Sequence, residues 1–127
     1  MFEVIDNNIA SSGAPVSNTV KARGRIYTSQ VPRDPVSGEL LVAGDIEQQT
    51  QQTLSNLKLS LEAAGGSLAH VVQVIVYLTE AEDAPRMNKI YAEFFTPPYP
   101  NRATVVVKSL LASGMRIEIV AQADLEA

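Results

Sequence analysis

A few polar residues stand where they could do chemistry, each against an apolar background. Arg102 follows the stiff stretch "PYPN" and opens the apolar run "ATVVV". A guanidinium at such a threshold offers a planar fork that receives a carboxylate through two parallel hydrogen bonds. The plainer alternative is a strand-end arginine on the surface or paired with a structural carboxylate. Glu118 lies in "RIEIVA" between Ile117 and Ile119. A carboxylate against an apolar wall can position or deprotonate water; otherwise it is an exposed alternating position or half of a surface ion pair. Asn88, within a helical pattern, is either solvated or orients a polar group. His70 is the single histidine, which excludes a two-histidine ribonuclease mechanism and a multi-histidine metal site within one chain. Its place ahead of a strand suits a surface or capping role.

Composition narrows the chemistry further. The chain has no cysteine, which removes disulfides, thiolate catalysis and cysteine-ligated zinc or iron–sulfur clusters. Its net charge is −4 and its pI about 4.9, with no basic cluster, so nucleic acid is not an expected partner. With 127 residues, 46% of them hydrophobic and 19% charged, one soluble globular domain with a substantial core is expected. No run approaches the roughly 18 apolar residues of a membrane span, and "MFEVIDNNIASSG" has no signal-peptide pattern. No membrane association and a cytoplasmic location are therefore expected.

The elements that must position these residues alternate. After a short segment, "FEVI", the stretch "NTVKARGRIYTSQVP" reads as a hairpin turning at "ARGR". "RDPVSGEL" is a loop dense in turn formers. From a cap at Asp45 to Ala64, the residues Leu54, Leu57, Leu61 and Ala64 recur at helical spacing, and Gly65 and Gly66 supply the stop. "HVVQVIVYLTE" is β-branched and apolar, as in a central strand buried on both faces. A second helix runs through "EDAPRMNKIYAEFF", with Pro85 in its first turn, and ends before Pro97. "ATVVVKSLL" reads as an interior strand. Joined to "MRIEIVAQA" around "ASG", it forms a hairpin that would set Glu118 beside the strand Arg102 introduces. The predicted order is β-β-α-β-α-β-β, an α+β domain with both helices on one face of a mixed sheet. Two helices leave the other face bare, although Tyr27 and the runs 71–76 and 105–107 carry apolar side chains for both. Association of identical subunits through that face is the simplest cover, and grooves between subunits become candidate sites.

The ordered blocks "SQVPRDPVSGELL", "DIEQQTQQTLSNLKLSLEAAGGSLAHVVQVIVYLTE", "MNKIYAEFF", "PYPNRATVVV" and "RIEIVA" resemble the RidA (YjgF) family of enamine/imine deaminases across residues 15–123. The resemblance implies a chorismate-mutase-like fold of the trimeric type, assembled as a barrel-like homotrimer with sites between subunits. It implies hydrolysis of 2-enamine and 2-imine acids, such as 2-aminoacrylate and 2-aminocrotonate, to 2-keto acids and ammonia. A small carboxylate is the implied substrate, with no cofactor and no metal. It places the carboxylate-binding arginine at Arg102, the water-positioning glutamate at Glu118, and further binding positions at Asn88, Thr104 and Ser29. Two departures stand out. "YTSQVP" lacks the glycine that lies between serine and glutamine in the family, and Val16 stands where deaminating members have a tyrosine. The same resemblance leaves room for a non-catalytic trimer that binds keto acids, or for a deaminase of larger unsaturated amino acids of the 2-aminomuconate or 3-aminoacrylate type.

Overall fold

The computed structural model describes residues 1–127 and follows the predicted element order with one addition. That addition comes first: β1 (Glu3–Val4), part of "FEVI", pairs with the following strand at Lys21 and Val20. β2 (Thr19–Ala22) and β3 (Arg25–Gln30) form the predicted hairpin. Arg23 and Gly24 take φ values of 52° and 77° at its turn, the left-handed pair that lets a two-residue turn match the strand twist. α1 (Ile46–Ala63) begins at Asp45, whose carboxylate accepts from the Gln48 N–H while the Gln48 side chain accepts from the Asp45 N–H. This reciprocal cap satisfies two donors that the first turn would otherwise orphan. β4 (Val71–Leu78) follows, then α2 (Ala84–Phe94) with Pro85 in its first turn, β5 (Asn101–Val106) and β6 (Ile117–Asp124).

The strands form one mixed sheet in the order β1-β2-β3-β6-β4-β5. The last two strands are therefore not the expected hairpin. β6 lies antiparallel between β3 and β4, and β5 pairs parallel with β4 on its far side. β4, α2 and β5 form a strand–helix–strand unit whose crossover helix returns the chain in the same direction, which makes β4 and β5 parallel neighbours. β5 takes the outer edge of β4, and residues 107–116 carry the chain back across to the gap beside β3. Gln49 of α1 holds the end of that link: its Nε2 donates to the Gly114 carbonyl at 2.9 Å, and its Oε1 accepts from the Arg116 N–H at 2.8 Å.

Both helices cover one face. Ile26, Val74, Val76, Leu78, Ile117 and Ile119 have no exposure and pack with Leu54, Leu57, Leu61 and Met87 of the helices. Burying each such side chain stabilises by about 1.5–3 kcal/mol. The buried side of α1 also carries polar residues, among them Gln49, Thr53, Asn56 and Ser60. Thr53 and Ser60 donate to the carbonyls one turn back, each at 2.8 Å, and Ser60 Oγ receives Nδ2 of Asn7 and Nε2 of Gln30. These groups are hydrogen-bonded, as burial generally demands, while the buried Thr50 hydroxyl on the same helix has no partner.

The opposite face is open within the chain. Tyr27 and Val105 are each 38% exposed there, beside half-buried Ile75, Tyr77 and Val120. The readings of β4 as buried on both faces and of β5 as interior are corrected for the single chain. β4 is covered only on its helix side, and β5 is an edge strand with almost every residue exposed. Their apolar character exceeds what one chain covers. No helix is long and apolar enough to cross a membrane.

Candidate functional site

Arg102 is placed by the register of its strand. It stands beside Val74, and Thr104 beside Val76, in the β4–β5 ladder. Adjacent partners share a face, so both residues project to the helix side. There Arg102 meets α2: Nη2 donates to Asn88 Oδ1 at 2.7 Å, and the guanidinium carbon lies 4.5 Å from the centroid of the Tyr91 ring. Tyr91 in turn stacks on Phe95, with centroids 4.5 Å apart. Asn88, Tyr91 and Phe95 follow one another at intervals of three and four residues and so share one side of the helix. The Tyr91 hydroxyl is buried without a hydrogen-bond partner; burial pushes the phenol's pKa up, while the Arg102 charge pulls it down. No carboxylate of the chain pairs with Arg102, which removes the structural ion pair as its explanation.

Glu118 lies on the other face. Its neighbours Ile117 and Ile119 are fully buried toward the helices, so alternation turns Glu118 to the open side, opposite Tyr77. Just before it, Arg116 donates from Nε and Nη2 to the buried Asp83 carboxylate at 2.9 and 2.6 Å. That two-pronged pair, together with Gln49, fixes where β6 begins. Glu118 itself is half-buried, and burial raises its pKa above that of an ordinary glutamate. It borders a cleft of about 520 Å3 whose walls include Val16, Ser29, Val31, Leu111 and Met115. Ser29 turns into this cleft because Thr28 and Gln30, on either side of it, are buried toward the helices. Val16 is 69% exposed at the rim.

The structure therefore brings the predicted residues together as two groups. Arg102, Asn88 and Thr104 belong to the helix side of β5 and α2, while Glu118 and Ser29 share the open-face cleft. Arg102 and Glu118, expected side by side, are separated by β4 and lie on opposite faces. Two strand spacings alone come to roughly 10 Å. His70 takes the capping role expected of it: Nδ1 accepts from the Ser67 N–H at 3.1 Å, closing the 3-10 turn before β4. Sequence reasoning missed Tyr91 as the seat of Arg102; its spacing of three from Asn88 was the available signal. It also missed Gln49 and the Asp83–Arg116 pair, whose separations of many tens of residues leave no local signal.

The chain matches the family described as Endoribonuclease L-PSP over residues 6–125. It is 44% identical over 121 residues to a RutC family protein of Pyrococcus horikoshii, covering 94% of each chain. Its fold superimposes on RidA from the Antarctic bacterium Psychrobacter with a TM-score of 0.89 at 31% identity, over 96% of this chain and 98% of that one. Against Escherichia coli TdcF, solved with bound serine, the TM-score is 0.86 at 28% identity, again over 96% and 98%.

Proposed function

We propose that this chain, which belongs to the RidA (YjgF) family of Endoribonuclease L-PSP proteins, hydrolyses small 2-imine acids to 2-keto acids and ammonia at sites between copies of itself. The observation that carries the reading is the Glu118 carboxylate, half-buried, without an ionic or hydrogen-bonded partner in the chain, on the wall of a cleft that a small acid fits. Arg102 supplies the complementary charge, but from the opposite face of the sheet. A second copy covering the open face can set its Arg102 across from this Glu118, and a homotrimer is the closed assembly we propose. The serine held by the TdcF relative, a small molecule with a carboxylate, supports the substrate class.

The chemistry needs few groups. An enamine acid first tautomerises to the imine. Arg102 holds the carboxylate in the plane of its guanidinium and so fixes the orientation of C2. Glu118 takes a proton from a water as its oxygen adds to C2, giving a carbinolamine. That proton returns to nitrogen, the carbinolamine hydroxyl then passes its own proton to the nitrogen by way of Glu118, and the C–N bond breaks so that ammonia leaves as the keto group forms. Such imines hydrolyse unaided, so the barrier reduction required is small beside that of most enzymes. A cytoplasmic location belongs to the same proposal.

Val16 favours a second reading, a trimer that binds keto acids without turning anything over, because it puts no phenol at the cleft rim. Ribonuclease activity has less support: the one histidine is engaged in a cap, and the net charge of −4 repels phosphate. The experiment generates 2-aminoacrylate from serine with a pyridoxal phosphate dehydratase and follows pyruvate release with and without this protein. Acceleration supports the deaminase. An unchanged rate with saturable pyruvate binding moves the conclusion to the binding module. Sedimentation of a monomer at micromolar concentration would remove the shared site.

A further inference from the structure

The contacts around Arg102 carry one more assignment, which rests on the proposed role of that arginine. Its guanidinium is gripped from two directions within the chain. Asn88 Oδ1 takes one Nη2–H at 2.7 Å at the edge of the plane, and the Tyr91 ring lies beneath, 4.5 Å from the guanidinium carbon. We infer that Tyr91 is a positioning residue for substrate binding: its ring, backed by Phe95, sets the plane in which Arg102 presents its free N–H edge to a carboxylate.

Three features of the surroundings lead there. First, Arg102 is a half-exposed side chain on an edge strand, where an arginine free of such contacts samples many rotamers. A ring beneath and an acceptor at one edge remove most of that freedom before any ligand arrives, which lowers the ordering cost of binding. Second, the ring is itself fixed, being 6% exposed and stacked on Phe95 at 4.5 Å with an interplanar angle of 26°. A guanidinium over such a face is attracted by the ring quadrupole without losing a single N–H donor. Third, the hydroxyl has no hydrogen-bond partner of good geometry within the chain, although it lies close enough to Arg102 to feel its charge. The ring therefore carries the effect, and phenylalanine should replace tyrosine here while leucine should not.

The test compares Tyr91→Leu and Tyr91→Phe with the wild type, reading the Kd for pyruvate by titration calorimetry, kcat and KM for 2-aminoacrylate hydrolysis, and Tm. For Tyr91→Leu we expect the pyruvate Kd and the KM to rise about tenfold, with kcat changed less than threefold. Tyr91→Phe should restore Kd and KM to within about threefold of wild type at equal or higher Tm, because it also removes an unpartnered buried hydroxyl. A Tyr91→Leu protein whose Tm falls while its Kd and KM stay at the wild-type values overturns the assignment and reduces Tyr91 to packing, with the proposed function untouched. Loss of affinity in Tyr91→Phe equal to that in Tyr91→Leu also overturns it, since the hydroxyl would then be the active part. A wild type that neither binds pyruvate nor accelerates hydrolysis overturns the assignment together with the function it rests on.

Discussion

Arg102 rests on a finished seat, with Asn88 at its edge and the Tyr91 ring beneath, whereas Glu118 makes no ionic or hydrogen-bonded contact in the chain and has its pKa raised by burial. The cation is held within its own chain by an acceptor at its edge and a ring beneath its plane. The carboxylate is left short of solvent and short of partners. A group that is only a structural member of a fold resembles Asp83, buried but bonded twice by Arg116. Glu118 departs from that pattern, and in the proposed function this unpartnered carboxylate is the group that meets the substrate water.

Removing the carboxylate's chemistry is the most severe way to break the comparison. Glu118→Gln should cost about 10²- to 10⁴-fold in kcat for imine hydrolysis while pyruvate binding persists, because the arginine side stays intact; calorimetry beside the coupled assay separates the two. Arg102→Ala attacks the other half. A loss of about 2–5 kcal/mol in transition-state stabilisation is expected, appearing first as lost pyruvate affinity, and full activity in a folded variant would end the carboxylate-binding reading.

Arg116→Met probes placement rather than chemistry. It leaves the buried Asp83 carboxylate unpaired at the threshold of β6, so denaturant unfolding should show a loss of roughly 3 kcal/mol. The smallest effect is the pH response of Glu118. Activity should fall on the acid side as Glu118 takes up a proton, with a midpoint above that of an ordinary glutamate, and the residual rate of Glu118→Gln should lack this limb. Stability runs the other way. Because the folded pKa is raised, the stabilisation tied to the protonated carboxyl is complete below the unfolded value and is lost as pH rises through the folded one. The Tm of Glu118→Gln should therefore exceed that of the wild type at neutral pH, and the difference should close on acidification.

The helices were legible because their signals are local. Asp45 with Gln48, the spacing of Leu54, Leu57 and Leu61, and Gly65 at φ 91° all lie within a few residues of what they govern. Pro85 and the turn at Arg23 and Gly24 belong to the same class. The placing of β6 was not legible. Its neighbours β3 and β4 are distant in sequence, and adjacency to β5 suggested a hairpin, whereas β6 pairs on the other side of β4. A strand, helix and strand in close succession carried the signal for the parallel pairing of β4 with β5, but no local signal placed β6 on the far edge of β4. The site suffered from the same gap: Arg102 and Glu118 were recognisable one by one, but their faces follow from the register on either side of β4.

By itself the sequence determined which residues carry charge in apolar company, where each helix starts and stops, and the family whose ordered blocks these are. Those properties depend on side-chain chemistry and on contacts within a turn or two of chain. The tertiary structure alone decided that β6 enters between β3 and β4, that Arg102 and Glu118 face opposite ways, and that Tyr91 underlies the guanidinium. Strand pairing over long separations fixes these, and a shift of one residue in register would turn every side chain to the other face.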